Sequence, residues 1–275
     1  MNLLQSIILG IVQGLTEFLP ISSSGHLVLF QNLLGFQEPQ LLLDSALHVG
    51  TLVAVCVYFR SDLLGIIRQS CFFIRGLWQG RQRPQDIRRN PGASLALWII
   101  VGTVPTALIG LIFRSTFERA FGSLPFVGCM LMVTGFILIV SYGFQKNPRK
   151  IRRLGPLNAL VVGAAQGLAI IPGISRSGIT IVCGILAGLP REEAARFSFL
   201  LSIPAILGAL ILQLDAEAAA DVGLLPILAG FLASVLVGLL ALKILMTMVR
   251  KGRLAYFAPY CLALGFVVLI YAMAG

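Results

Sequence analysis

The sequence predicts an all-α integral membrane protein of two inverted-topology repeats, each a re-entrant helical hairpin plus three transmembrane helices. Three observations carry that prediction. Of the 275 residues, 57% are hydrophobic and only 12% charged, about half the charged share of a soluble domain. Six apolar stretches are long enough to cross a bilayer, and two further apolar segments are broken at their centres by Pro, Gly and Ser. Those two broken segments align with each other without a gap.

In chain order, the first broken segment covers 3–35 and contains TEFLPISSSGH at residues 16–26. Its second arm, His26 to Gly35, spans only about 15 Å as a helix, half the hydrocarbon core, so the segment enters and leaves on one side. Spans follow at 41–58, 94–113 and 125–144, completing a first repeat over residues 1–150. The second repeat, 151–275, opens with a hairpin at 155–189 broken by PGISRSG, followed by spans at 195–213, 224–246 and 254–274.

Charge orders the loops. Residues 59–93 hold seven arginines, 145–153 hold Lys146, Arg149, Lys150, Arg152 and Arg153, and the loop after 246 holds Arg250, Lys251 and Arg253. Six spans bring all three to one face, which the positive-inside rule makes cytoplasmic. The opposite loops hold Arg114 and Arg119, and 214–223 is acidic through Asp215, Glu217 and Asp221. Both termini and the mouth of the first hairpin then lie on the outer side. The net charge of +10 is absorbed by this asymmetry and calls for no nucleic acid. Within 59–93, Arg68 and Arg75 sit among Leu64, Ile67, Phe72 and Leu77, the pattern of an amphipathic helix on the interface or of a solvated basic loop. Other acids, such as Glu38, Asp62 and Glu192, read as loop and interface charges. The first fifteen residues show no basic start and no small-residue cleavage site, so no cleaved signal peptide is expected. The five cysteines have no metal-ligand spacing and read as buried apolar thiols.

The alignment sets GIVQGLTEFLPISSSGHL (10–27) on GAAQGLAIIPGISRSGIT (163–180). Eight of the 18 positions are identical, including Gln13/Gln166, Gly14/Gly167, Ser22/Ser175, Ser24/Ser177 and Gly25/Gly178. Chance in such a composition gives roughly one or two, so an internal repeat is the better account. Three spans per half is odd, so the halves are inverted and their hairpin tips can meet near the midplane.

Irregular backbone at that depth is tolerated only inside protein or beside a water-filled cavity. After Pro20 a helix can restart with Ser22, Ser23 or Ser24 as its cap, and after Pro172-Gly173 with Ser175 or Ser177. Two helix N-termini, their hydroxyls and Arg176 would then suit a phosphate group. Gln13 and Glu17 share a helix face and could hold a divalent cation or orient a water. His26 could serve as acid or base, and His48, inside the first span, could line the site or bond within the core. Structural readings exist for each group: serines as caps, His26 bonding a carbonyl, Arg176 pairing with Glu17. Their combination at mirrored tips points to phosphoryl transfer.

Gln13-Gly-Leu-Thr-Glu17-Phe-Leu-Pro-Ile-Ser-Ser-Ser-Gly-His26 and Pro172-Gly-Ile-Ser-Arg-Ser-Gly-Ile-Thr180 resemble the two signature motifs of the undecaprenyl-diphosphate phosphatase family. These are the bacitracin-resistance proteins of bacterial inner membranes. The likeness extends through LDSALHVGTLVAV (43–55) and REEAARFSFLLSIPAI (191–206) and covers essentially the whole chain. It implies interlocking inverted repeats and hydrolysis of a polyprenyl diphosphate to its monophosphate, recycling the lipid carrier of peptidoglycan synthesis. By motif position it implies Glu17 as essential acid, Ser23 as nucleophile, His26 as motif histidine and Arg176 as the phosphate-binding arginine. Gln13, Ser22, Ser24, Gly25, Ser175, Ser177, Gly178 and Thr180, around the same tips, are the expected substrate contacts. Gln13 falls where the family has Glu or Gln, which argues against a two-carboxylate metal site. The resemblance also implies a divalent cation, Mg²⁺ or Ca²⁺, with Glu17 as its ligand. Membrane lipids and a second copy of the chain are the other expected partners.

Ser23 attack on the terminal phosphorus and direct attack by water, with His26 or Glu17 as base, both remain open at this level. The rival function is a lipid flippase or other transporter, because inverted repeats with broken helices also build transporters.

Overall fold

A computed structural model of the chain describes residues 2–36, 40–145, 154–213 and 223–274. The described residues are helical and include no strand. The basic cluster Lys146 to Arg153, the acidic residues Asp215, Glu217 and Asp221, and Glu38 lie outside them.

The first hairpin is α1 (Leu3–Phe18) and α2 (Ser23–Leu33). α3 (Leu41–Tyr58) runs into α4 (Arg60–Trp78) across a bend of 73°. After a 3-10 turn at Pro84–Arg89 come α5 (Pro91–Ile112), the short α6 (Arg114–Phe121) and α7 (Leu124–Gln145). The second hairpin is α8 (Pro156–Leu168) and α9 (Arg176–Leu186), followed by α10 (Arg191–Gln213) and α11 (Leu224–Arg250). A 3-10 turn at Leu254–Phe257 leads into α12 (Ala258–Ala274).

Five helices are long and apolar enough to cross a membrane, and α3 with α4 makes a sixth candidate, bent at Phe59. The chain is therefore a multi-pass membrane protein. Its outward faces agree: Ile100, Val104, Leu108 and Leu111 on α5, and Leu225, Leu228, Leu232, Leu236 and Leu240 on α11, are all exposed. Large exposed apolar stripes of this kind want hydrocarbon, not water. The hairpin helices α1, α8 and α9, at 16, 13 and 11 residues, are too short to span.

Small residues let the hairpins pack against long spans at backbone distance. α1 lies parallel to α11, with Ser6 Oγ donating to the Pro226 carbonyl at 2.5 Å. A β-carbon on Gly14 would stand 2.9 Å from both Gly238 N and the Ser234 carbonyl oxygen. α8 lies along α5 in the same manner, with Thr106 Oγ1 donating to the Gly163 carbonyl at 2.8 Å. A β-carbon on Gly167 would stand 2.8 Å from Ile109 Cβ. This is the small-residue packing of membrane helices, where lipid offers no hydrophobic drive and close van der Waals contact substitutes for it. The main core then gathers Phe18, Phe59, Phe199, Leu242 and Leu245 beneath the tips.

The amphipathic reading of 59–93 is realised as α4. Phe73 and Gly76 are buried, while Leu64, Ile67, Cys71, Ile74 and Trp78 form an exposed stripe at spacings of three and four. Arg196 on α10 pairs with Asp62 at its start, and Arg250 with Glu192 at 2.7 Å ties α11 to α10. The cysteine expectation needs correction. Only Cys261 is buried, Cys56 and Cys183 are half-buried, and Cys71 and Cys129 are exposed on α4 and α7. In this protein an exposed apolar position faces lipid or interface, so hydrophobicity alone did not imply an interior place.

Candidate active site

Each hairpin tip ends one helix and starts another. Pro20 breaks the first, and Ser22 caps α2, accepting from Gly25 N at 3.4 Å while its hydroxyl lies 3.3 Å from Ser24 Oγ. At the second tip Ser175 caps α9, accepting from Gly178 N at 3.1 Å, with Ser177 Oγ at 3.2 Å. These are the residues paired by the alignment, and they bond alike.

The carbonyls of Pro20 and Gly173, also paired in that alignment, each accept from a long helix. Cys261 Sγ on α12 donates to the first at 3.5 Å, and Thr134 Oγ1 on α7 to the second at 2.9 Å. Gly173 N reaches Ser24 Oγ at 3.4 Å, so the tips touch. Gly173 has φ +94, and a β-carbon there would meet the Val127 carbonyl at 2.6 Å. Only glycine fits both that dihedral and that approach.

Glu17 is the hub where the tips meet, and it is buried. Its Oε1 accepts from Arg176 Nη2 across the two hairpins. Its Oε2 accepts from Ser23 Oγ at 2.6 Å and from Gln13 Nε2 at 3.0 Å. His48 Nε2 stands 4.0 Å from the same oxygen. The imidazole is held from behind by its Nδ1 on the Asp44 carbonyl at 2.8 Å, and Gln31 on α2 fixes the Asp44 side chain at 2.7 Å. With Nδ1–H donating to that carbonyl, the ring turns Nε2 toward the site. His48 is 35% exposed in its side chain, against 7% for Glu17, so the hub opens past His48.

Two buried polar atoms here have no protein partner: Arg176 Nη1 and Gln13 Oε1. A buried guanidinium nitrogen left unpaired is expensive, and one beside two helix N-termini has the chemistry to take a phosphate oxygen. The structural partnership of Arg176 with Glu17 and a phosphate role are therefore compatible, since each uses a different terminal nitrogen.

Other expected contacts serve as framework. Thr180 Oγ1 donates to the Arg176 carbonyl at 2.6 Å and meets Ser198 Oγ at 2.6 Å. Ser22 and Ser175 are buried as caps, with Gly25 and Gly178 supplying the capped N–H groups, and the buried Ser177 hydroxyl bonds to that of Ser175. His26 is not among the groups bonded to Glu17. Its Nδ1 faces the Ser22 carbonyl at 2.7 Å, and its Nε2 meets Tyr260 Oη on α12 at 2.8 Å. Of the two readings open for His48, the structure supports site lining, whereas Tyr260 was not legible as a site neighbour. The apolar run around His48 left its facing open between core and site, and Tyr260 sits in an apolar stretch with no motif to mark it.

The family model described as "Bacitracin resistance protein BacA" matches residues 6–267. The chain belongs to the BacA family. Among relatives, a protein of Desulfatibacillum aliphaticivorans named "Undecaprenyl-diphosphatase" is 47% identical over 272 residues, covering 98% of this chain and 99% of its own. Proteins of the same name from Carboxydothermus hydrogenoformans and Methanosphaera stadtmanae are each 44% identical, the former over 100% of this chain and 99% of its own and the latter over 98% of both. The BacA match takes in both hairpin tips and every group around Glu17, and runs from within α1 to within α12.

Proposed function

We propose that the chain hydrolyses undecaprenyl diphosphate to undecaprenyl phosphate and inorganic phosphate. The observation that carries the chemistry is the Ser23–Glu17–Arg176 arrangement, with Arg176 Nη1 unpaired beside it. The lipid's diphosphate reaches the tips while its polyprenyl tail stays among the apolar outer faces. Arg176 Nη1 and the N–H groups at the start of α2 and α9 bind the terminal phosphate oxygens. Glu17 Oε2 takes the proton of Ser23 Oγ as that oxygen bonds to the terminal phosphorus. The bridging P–O bond breaks and the lipid monophosphate leaves. Water then attacks phosphorus, the Oγ–P bond breaks, the proton held by Glu17 returns to Ser23, and phosphate departs. Positive charge from Arg176 develops its full worth in this water-poor setting.

A divalent cation fits the residues present, through the Glu17 carboxylate and the unpaired carbonyl oxygen of Gln13. Among the described residues no three His, Cys, Asp or Glu side chains converge, so phosphate oxygens and water must supply the remaining ligands. Such an ion would neutralise diphosphate charge and polarise the phosphoryl group.

The halves 1–150 and 151–275 are read as inverted repeats, supported by the like bonding of paired tip residues and the like packing of α1 on α11 and α8 on α5. The basic face is read as the cytoplasmic side of the cell's inner membrane, with the hub opening outward past His48. Phosphate release by purified protein in detergent micelles tests the function, because micelles lack the sealed compartments that transport needs. Release that depends on the protein and stops with chelator is expected. Lipid movement in vesicles without any release in micelles would instead make the chain a flippase.

A further inference from the structure

The two tips differ in one backbone feature. Ser22 has φ 71 and is the one described non-glycine residue in the left-handed region, whereas its counterpart Ser175 has φ −76. A serine with positive φ is strained and persists only where its surroundings hold it. The surroundings of the Ser22 peptide also differ. The Ser175 carbonyl accepts the helical N–H of Ile179, at 2.9 Å, and no side-chain donor among the described residues. The Ser22 carbonyl accepts the N–H of His26 at 3.3 Å and, in addition, the ring Nδ1–H of His26 at 2.7 Å.

A carbonyl can be served only by the protonated ring nitrogen, which leaves Nε2 as the acceptor for Tyr260 Oη–H at 2.8 Å. The two rings also stack, with centroids 5.7 Å apart and planes within 10°. Both nitrogens of His26 are thus committed, and neither is free to receive the Ser23 proton. The residue after Ser22 is Ser23, whose hydroxyl must meet Glu17 at 2.6 Å.

We infer that His26 is a positioning residue and Tyr260 its unassigned partner: together they clamp the Ser22 carbonyl, holding the left-handed turn that presents Ser23 to Glu17. The imidazole keeps one tautomer through the cycle and carries no proton between substrate and enzyme. The inference deepens the phosphatase reading and rests on it only in its rate measurements.

The test pairs rates with a spectroscopic readout. Asparagine can offer an amide N–H where Nδ1–H stood, but it cannot act as a base near neutral pH. His26→Asn should keep turnover within about tenfold of the parent, with a superimposable pH–rate profile, while His26→Leu loses about 10²-fold through misplacement of Ser23. Tyr260→Phe should lower kcat about three- to tenfold with KM unchanged, the worth of one hydrogen bond. An inactive His26→Asn with a lost acidic limb in its profile would make His26 the proton acceptor and overturn the inference. The chain has two histidines, so ¹⁵N-imidazole NMR of His48→Gln observes His26 alone. A fixed Nδ1–H signal from pH 5.5 to 8.5 is expected, shifting in Tyr260→Phe. A titrating ring, or an Nε2–H tautomer, would refute the clamp even if no phosphate were released and the functional reading itself had failed.

Discussion

Arg176, on the second hairpin, binds Glu17, on the first, through Nη2 and leaves Nη1 buried without a partner. One guanidinium thus joins the two halves and still has a donor for a ligand. Lysine can satisfy one of these duties but not both, because its ammonium lacks the planar fork. Arg176→Lys should reduce turnover about 10²–10³-fold, by analogy with loss of one oxyanion donor, with little change in melting temperature. Lost stability that a Glu17→Gln/Arg176→Gln double mutant restores, with turnover scarcely altered in Arg176→Lys, would leave the arginine a purely structural partner.

Ser23 and Ser24 are neighbours with different bonds. Ser23 Oγ donates to Glu17, whereas Ser24 Oγ accepts from Gly173 N and meets Ser22 Oγ. Ser23→Ala should abolish phosphate release and any acid-stable phosphoserine trapped by rapid quench. Ser24→Ala should retain activity within roughly tenfold, the value of a lost neutral hydrogen bond. Mild and equal losses at both positions would favour attack by water, with His48 and Glu17 orienting it.

The amide of Gln13 tests the cation site. It donates to Glu17 from one end and has an unpaired oxygen at the other. Gln13→Glu removes the donor and sets two carboxylates side by side. Half-saturating Mg²⁺ should fall about tenfold, since ligand charge tunes such sites. Melting temperature without cation should also fall through like-charge repulsion. An unchanged Mg²⁺ dependence would mean the ion sits away from Gln13.

Sidedness can be read with a native thiol. Cys71 is exposed on α4, in the basic segment, so a membrane-impermeant maleimide should label it only after cells are permeabilised. Asn32→Cys at the end of α2, in a Cys71→Ser/Cys129→Ser background, should label in intact cells. The reverse pattern would turn the protein over in the membrane.

Much of the fold was legible because hydrocarbon imposes a length on every span. The stretches 41–58, 94–113, 125–144, 195–213 and 224–246 fall on α3, α5, α7, α10 and α11 within a few residues. The last span, 254–274, starts with a 3-10 turn at Leu254–Phe257 before α12. α6 was missed because its apolar positions, Phe117, Ala120 and Phe121, cover a single turn, too short a pattern to stand out between two spans. At the site, Ser, Arg and Glu were legible as costly residues in an apolar setting. Their mutual distances were not. Which nitrogen of His26 finds which partner depends on Tyr260, 234 residues away, and no local pattern encodes that.

The packing of α1 against α11 imposes an order on assembly. Ser6 bonds to Pro226, 220 residues later, whereas Thr106 is already made when Gly163, 57 residues on, arrives to meet it. At ribosomal speeds of about 5–20 residues per second, the first hairpin waits roughly 10–45 s for its groove, while the second docks as it emerges. During most of that wait Glu17 has no Arg176, and throughout it α1 has no α11 wall. The catalyst comes into being only when the closing helices of the chain are laid down, and a ribosome stalled after α10 would leave a membrane-bound chain with both tips and no active site.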